Sequence, residues 1–141
     1  METSTVRNRL RETIERAKRR AAERRGHNDE ATRAFDAFLE RVATPMMRQI
    51  AGALKADNYH FTVFTPSGSV RLMSDRHAED FIEIALDVSG DAPRIIGHTS
   101  RLRGRHLVET ERPVGSGGPD AVTEENLLEF LLKEIEPFVE R

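Results

Sequence analysis

From Tyr59 to Glu111 apolar and polar residues alternate in five short runs, and no connection between successive runs is long enough to hold a crossover. Tyr59, Phe61 and Val63 alternate with His60, Thr62 and Phe64. The turn cluster Thr65-Pro66-Ser67-Gly68-Ser69 follows, and Val70–Met73 resumes the pattern after it. Ser74–Glu79 is a polar connection. In the third run Ile82, Ile84, Leu86 and Val88 face one way, and Phe81, Glu83, Ala85 and Asp87 the other. Ser89–Pro93 is a further turn. Arg94–Thr99 and Arg105–Glu111 make the last pair, around Arg101-Leu102-Arg103-Gly104. A period of two is strand periodicity. Parallel neighbours need a crossover of a dozen or more residues, so strands joined by turns this short are antiparallel neighbours. The sequence predicts a five-stranded antiparallel β-meander.

Helical periods flank the strands. Ala31, Phe35, Phe38, Val42, Met46, Ile50 and Leu54 recur at spacings of three or four. Asn28-Asp29-Glu30 has the composition of a helix start, and Ala56-Asp57-Asn58 ends the run. Pro45 either kinks this helix or divides it in two. Residues 113–120 form a loop rich in glycine. A last helix is expected from Thr123, with Val122 and Leu127 stapling its cap. Leu127, Leu128, Leu131, Ile135, Phe138 and Val139 form its apolar stripe, and Pro137 lies near its end. Packing both helices on one sheet face gives an α+β body. The domain plan is an arm, residues 1–27, and a body, residues 28–141.

Charge separates these parts. The first 25 residues carry nine Lys/Arg and four Asp/Glu, a net of +5, and the other 116 residues carry a net of −7. A basic segment on an acidic chain points to a negatively charged partner. Cysteine is absent, which removes disulfides and thiolate chemistry. No stretch approaches the roughly 18 apolar residues of a membrane span, and the N-terminus lacks the apolar run of a signal peptide. A cytoplasmic protein without a transmembrane segment is expected.

In the arm, Val6, Leu10, Ile14, Ala17 and Ala21 follow helical spacing. Gly26 is the expected stop, with His27-Asn28 as a break. On the helix, Arg7, Arg11, Lys18 and Arg25 border one side of the stripe, and Arg9, Arg16 and Arg20 border the other. Glu12, Glu15 and Glu23 lie opposite it. Glu12–Arg16 and Glu15–Arg19 are i,i+4 pairs, each worth about 0.3–0.5 kcal/mol. So narrow a stripe does not stabilise a helix alone in water, so the arm is expected to need a partner surface.

No catalytic, metal or nucleotide motif is present, and no cofactor is expected. Five histidines occur, none at metal-ligand spacing. His60, His98 and His106 with Glu83 and Asp87 would form a cluster only if three strands share a favourable register. Ser74-Asp75-Arg76-His77 and Glu79-Asp80 read as a solvated turn rather than a triad. Glu124, Glu125, Glu129, Glu134, Glu136 and Glu140 make the last helix an acidic surface suited to a basic arm.

The reading that follows is a non-enzymatic interaction module, an adaptor or assembly subunit. Its basic helix would dock on an acidic protein surface, a second copy of the chain included. Partner contacts are assigned to Val6, Leu10, Ile14, Arg7, Arg11, Arg16, Lys18 and Arg20. The alternative is a nucleic-acid-binding protein using the arm and the Arg101–Arg105 tip, with Arg94, Arg101, Arg103 and Arg105 as anion contacts. A third reading is a small enzyme on the open sheet face, with His60, Glu83 and Asp87 sharing a pocket.

Overall fold

The computed structural model describes residues 1–140. The chain divides into two compact units, Met1–Glu30 and Ala31–Arg141. The first is helical throughout from Thr3, as part of α1 (Thr3–Phe38), and none of its side chains is buried. The stop expected at Gly26 is not there. Gly26 does not take the left-handed φ that a glycine helix cap needs, and no proline follows to end the helix. An interior glycine costs a helix only about 1 kcal/mol, which is insufficient by itself to break one.

In the second unit α1 ends in a buried stripe of Ala31, Phe35 and Phe38. A π-helical turn, Leu39–Ala43, joins it to α2 (Thr44–Ala56), and the Thr44 amide donates to the Leu39 carbonyl five residues back. This is how the chain accommodates Pro45. The proline falls in the first turn of α2, directly after the widened turn.

The strands are β1 (Phe61–Phe64), β2 (Ser69–Ser74), β3 (Phe81–Asp87), β4 (Arg94–Arg103) and β5 (His106–Pro113). They form one antiparallel sheet in the order β1-β2-β3-β4-β5, the expected meander. Val63 pairs with Leu72, Leu72 with Ile82 and Ile82 with Thr99, so one row of side chains crosses the sheet on one face. Val70, Leu72, Ile82, Ile84 and Ile95 are buried there in one cluster with Phe35, Met47, Leu127 and Leu131. Each such aliphatic side chain contributes about 1.5–3 kcal/mol on burial.

The last hairpin is tighter than the sequence suggests. β4 runs on to Arg103, which pairs with His106, leaving a two-residue turn. Gly104 has φ +65 while Arg105 stays at negative φ, the pattern of a Gly-first hairpin turn. Leu102 opposite Leu107 extends the ladder beyond the core-covered part of the sheet.

The last helix, α3 (Glu124–Val139), starts where expected. Thr123 Oγ1 accepts from the Asn126 amide, and Asn126 Oδ1 accepts from the Thr123 amide at 3.0 Å. Val122 and Leu127 are both buried, as the staple requires. α3 lies close on β4: a Cβ at Gly97 would fall 2.1 Å from the Phe130 ring. Near its C-terminus Tyr59 Oη donates to the Val139 carbonyl, and Phe61 meets Phe138 edge-on at 5.8 Å.

Candidate interaction site

The arm presents its apolar stripe to solvent. Val6 is 51% exposed, Leu10 58% and Ile14 45%. Arg7, Arg11, Arg16, Lys18 and Arg20 are exposed as well. Among the described residues none of the arm's cations lies within ion-pair distance of a carboxylate, so the two expected i,i+4 pairs are not made. Instead Arg16 Nη2 donates to Thr13 Oγ1 at 3.4 Å, and Thr13 Oγ1 donates to the Arg9 carbonyl. The stripe and both its borders are therefore uncommitted: apolar side chains in water, flanked by charges with no counter-charge.

α3 carries the opposite charge. Its core-facing side chains Leu127, Leu131, Ile135 and Phe138 are buried. Leu132 falls off that stripe and is 58% exposed. Leu128 and Val139, half-buried, lie on the same edge. Glu125, Glu129 and Glu136 lie within roughly 60° of Leu132 around the helix, at about 100° per residue, and all three are exposed. Leu132 did not enter the sequence-based stripe. Its signal was its place among the glutamates rather than among the leucines.

The other glutamates of α3 do different work. Glu134 is only 7% exposed and its Oε1 lies 3.5 Å from Arg112 Nη1. That pair belongs to a cleft of about 270 Å³ between α3 and the β4–β5 hairpin, which Arg101, Lys133, Glu136 and Glu140 also line. Cations and carboxylates alternate there, so the cleft carries no strong charge of one sign. Thr99, 5% exposed, lies at its floor, and its Oγ1 has no hydrogen-bond partner among the described residues.

The four arginines assigned to anion contact do not converge. Arg101 and Arg103 point to the helix-covered side of β4, and Arg101 lies half-buried in the α3 cleft. Arg103 and Arg105 are exposed at the turn. Arg94 is at the far end of β4, roughly 30 Å of extended chain away. It is on the opposite face, and its Nε lies 3.7 Å from Asp87 Oδ2. The Ser89 side chain and amide hydrogen-bond the Asp87 carboxylate and, helped by Arg94, hold its pKa below the ordinary value.

The strand register does not bring the histidines together on the open sheet face. His98 is on that face, His106 pairs opposite Arg103 on the other, and His60 precedes β1. Glu83 is held by Arg71 Nη2 at 3.1 Å and by Ser69 Oγ at 2.9 Å. Arg71 also stacks over Phe81 at 3.9 Å, and Phe81 meets His98 edge-on at 5.3 Å. Glu83 and Asp87 are thus engaged by separate partners, and His60 joins neither.

At the other end of the sheet Ser74, His60, His77 and Asp80 line a second cleft of about 270 Å³. Ser74 Oγ accepts from the Arg76 amide at 3.2 Å and is hydrogen-bonded to neither histidine. Asp80 corrects the picture of a solvated turn. It is 1% exposed, and its Oδ1 accepts from the Leu102 amide at 2.8 Å, tying the start of β3 to β4. No protein-family model, curated protein or solved structure matches the chain.

Proposed function

We propose that this protein is a non-enzymatic interaction module whose basic N-terminal helix docks on an acidic protein surface. The observation that carries the reading is the uncommitted amphipathic stripe: Val6, Leu10 and Ile14 exposed on one helix face, with unpaired cations on both borders. A helix held in place by packing needs an apolar stripe in contact with something. Cations at the edge of such a stripe can lay their stems on an apolar surface and keep their charges at its rim. A carboxylate-rimmed apolar surface therefore matches the arm in both respects.

The test compares the full chain with a full chain carrying Val6→Ser, Leu10→Ser and Ile14→Ser. All three sites are exposed, so the body's fold is unaffected. Each is tagged, expressed in its source cells and captured at physiological and high salt, alongside a differently tagged wild-type copy. The expected result is a partner held by the wild type, released by salt and absent from the triple variant. A triple variant that keeps every partner and its oligomeric state sinks the reading.

A second reading, nucleic-acid binding, draws on Arg103 and Arg105 exposed at the hairpin turn together with the arm's nine cations. It predicts binding of a labelled duplex or single strand that weakens steeply from low to physiological salt. Failure to bind either probe at low salt removes it. The apolar stripe favours a protein, because phosphates make no use of Val6, Leu10 and Ile14.

A further inference from the structure

Building on the docking role proposed above, we infer that the arm's receptor is the outer border of α3 on a second copy of this chain, formed by Leu128, Leu132 and Val139 and rimmed by Glu125, Glu129 and Glu136. Three observations converge on it. First, Leu132 is a large apolar side chain left 58% exposed beside three exposed carboxylates, none of them ion-paired among the described residues. Second, the arm is its chemical complement, an exposed line of Val6, Leu10 and Ile14 bordered by arginine and lysine. Third, the arm cannot be its own partner. Its stripe has cations on both borders, so two arms laid face to face would set like charges against each other. α3 offers the opposite sign, and its remaining glutamate beside the sheet, Glu134, is already taken by Arg112.

A second copy supplies both halves of the contact. Where the chain that receives an arm returns its own to the same partner, the two contacts are identical and the assembly is a closed two-fold dimer. Both contacts then act together, which raises the avidity above that of either alone.

The experiment is sedimentation of the full chain across the micromolar range, with two charge-reversed full chains. One carries Arg7→Glu, Arg11→Glu and Lys18→Glu in the arm. The other carries Glu125→Arg, Glu129→Arg and Glu136→Arg in α3. Every substituted side chain is exposed, and thermal melts of both variants check that the body is intact. The expected result is a wild-type dimer, a dimer constant at least tenfold weaker for each reversed chain alone, and recovery when the two reversed chains are mixed. In the mixture each reversed arm meets a reversed α3, and each native arm meets a native α3. A monomeric wild type overturns the inference, as does a mixture that fails to recover. A dimer lost in the arm-reversed chain but kept by the α3-reversed chain overturns the α3 receptor and leaves the docking role standing. A dimer that neither reversal weakens, and that the triple serine variant also retains, removes both.

Discussion

The arm and α3 are both amphipathic helices with apolar residues at spacings of three and four, yet one stripe is buried and the other is wet. α3 places Leu127, Leu131, Ile135 and Phe138 against the sheet, and its start is fixed by a reciprocal Thr123–Asn126 cap. Glu124 and Glu125 in its first turn favour the positive end of the helix dipole. The arm has only three large apolar residues, and α1 has no acid in its first turn and no base in its last. The difference teaches that spacing defines a helix face but not its use. Width of the stripe and capping decide whether a helix carries its own weight in the fold or waits for a surface.

The contrast is sharpest in the response to truncation. Leu131→Ala in α3 is expected to destabilise the body by about 2–5 kcal/mol, as a cavity in a packed core does. Leu10→Ala in the arm is expected to shift the same urea transition by less than about 0.5 kcal/mol, the range for exposed sites. An arm substitution that costs as much as the core one would break the comparison, because it would show the stripe already packed.

Next in size is the contact between α3 and the sheet. Gly97→Ala would drive a methyl into the Phe130 ring, and about 1–3 kcal/mol of overpacking strain is expected. Combining it with Phe130→Leu should recover part of the loss. A neutral Gly97→Ala in thermal melts would mean that α3 rides on the sheet more loosely than its buried stripe implies.

Thr123→Ala removes the side-chain half of the α3 cap and is expected to cost about 1 kcal/mol. Fast amide exchange confined to the first turn of α3 would accompany it. No comparable loss is expected from replacing Thr3 at the start of the arm.

The smallest effect is a pH dependence far from both helices. The folded pKa of Asp87 is lowered chiefly by its hydrogen bonds from Ser89, then by Arg94. A carboxylate with a depressed folded pKa adds stability above its unfolded pKa, and that stability is lost as pH falls through the folded value. Ser89→Ala should move the Asp87 titration, followed by NMR, upward toward the ordinary carboxylate range. An unmoved titration would assign the shift to the Ser89 amide, which alanine keeps, and to Arg94.

Much of this fold is legible in the sequence. The five strands and their order followed from alternation and short turns, because adjacent antiparallel pairing is local in the chain. The α3 start was legible because a cap is a local motif of a few residues. The misreadings had local causes too. Gly26 resembled a stop, but a glycine ends a helix only in a left-handed conformation, and that is a property of the backbone rather than of the residue. The Arg101–Gly104 loop shrank to two residues because Leu102 and Leu107 pair across the strands beyond the core. Asp80 looked like one more turn acid, yet the Leu102 amide it holds is 22 residues away in sequence.

By itself the sequence determined the helix and strand periods, the neighbour order of the sheet and the charge split between arm and body. All of these rest on interactions between residues close in the chain or on simple counts. Only the tertiary structure decided which side chains share a surface. It separated Arg94 from Arg101 and Arg103 by face and by length, withdrew Glu134 into a pair with Arg112, and left Leu132 exposed among glutamates. Those outcomes depend on strand register and on the rotation of α3 against the sheet, which are set by packing between segments distant in sequence and so cannot be read from spacing alone.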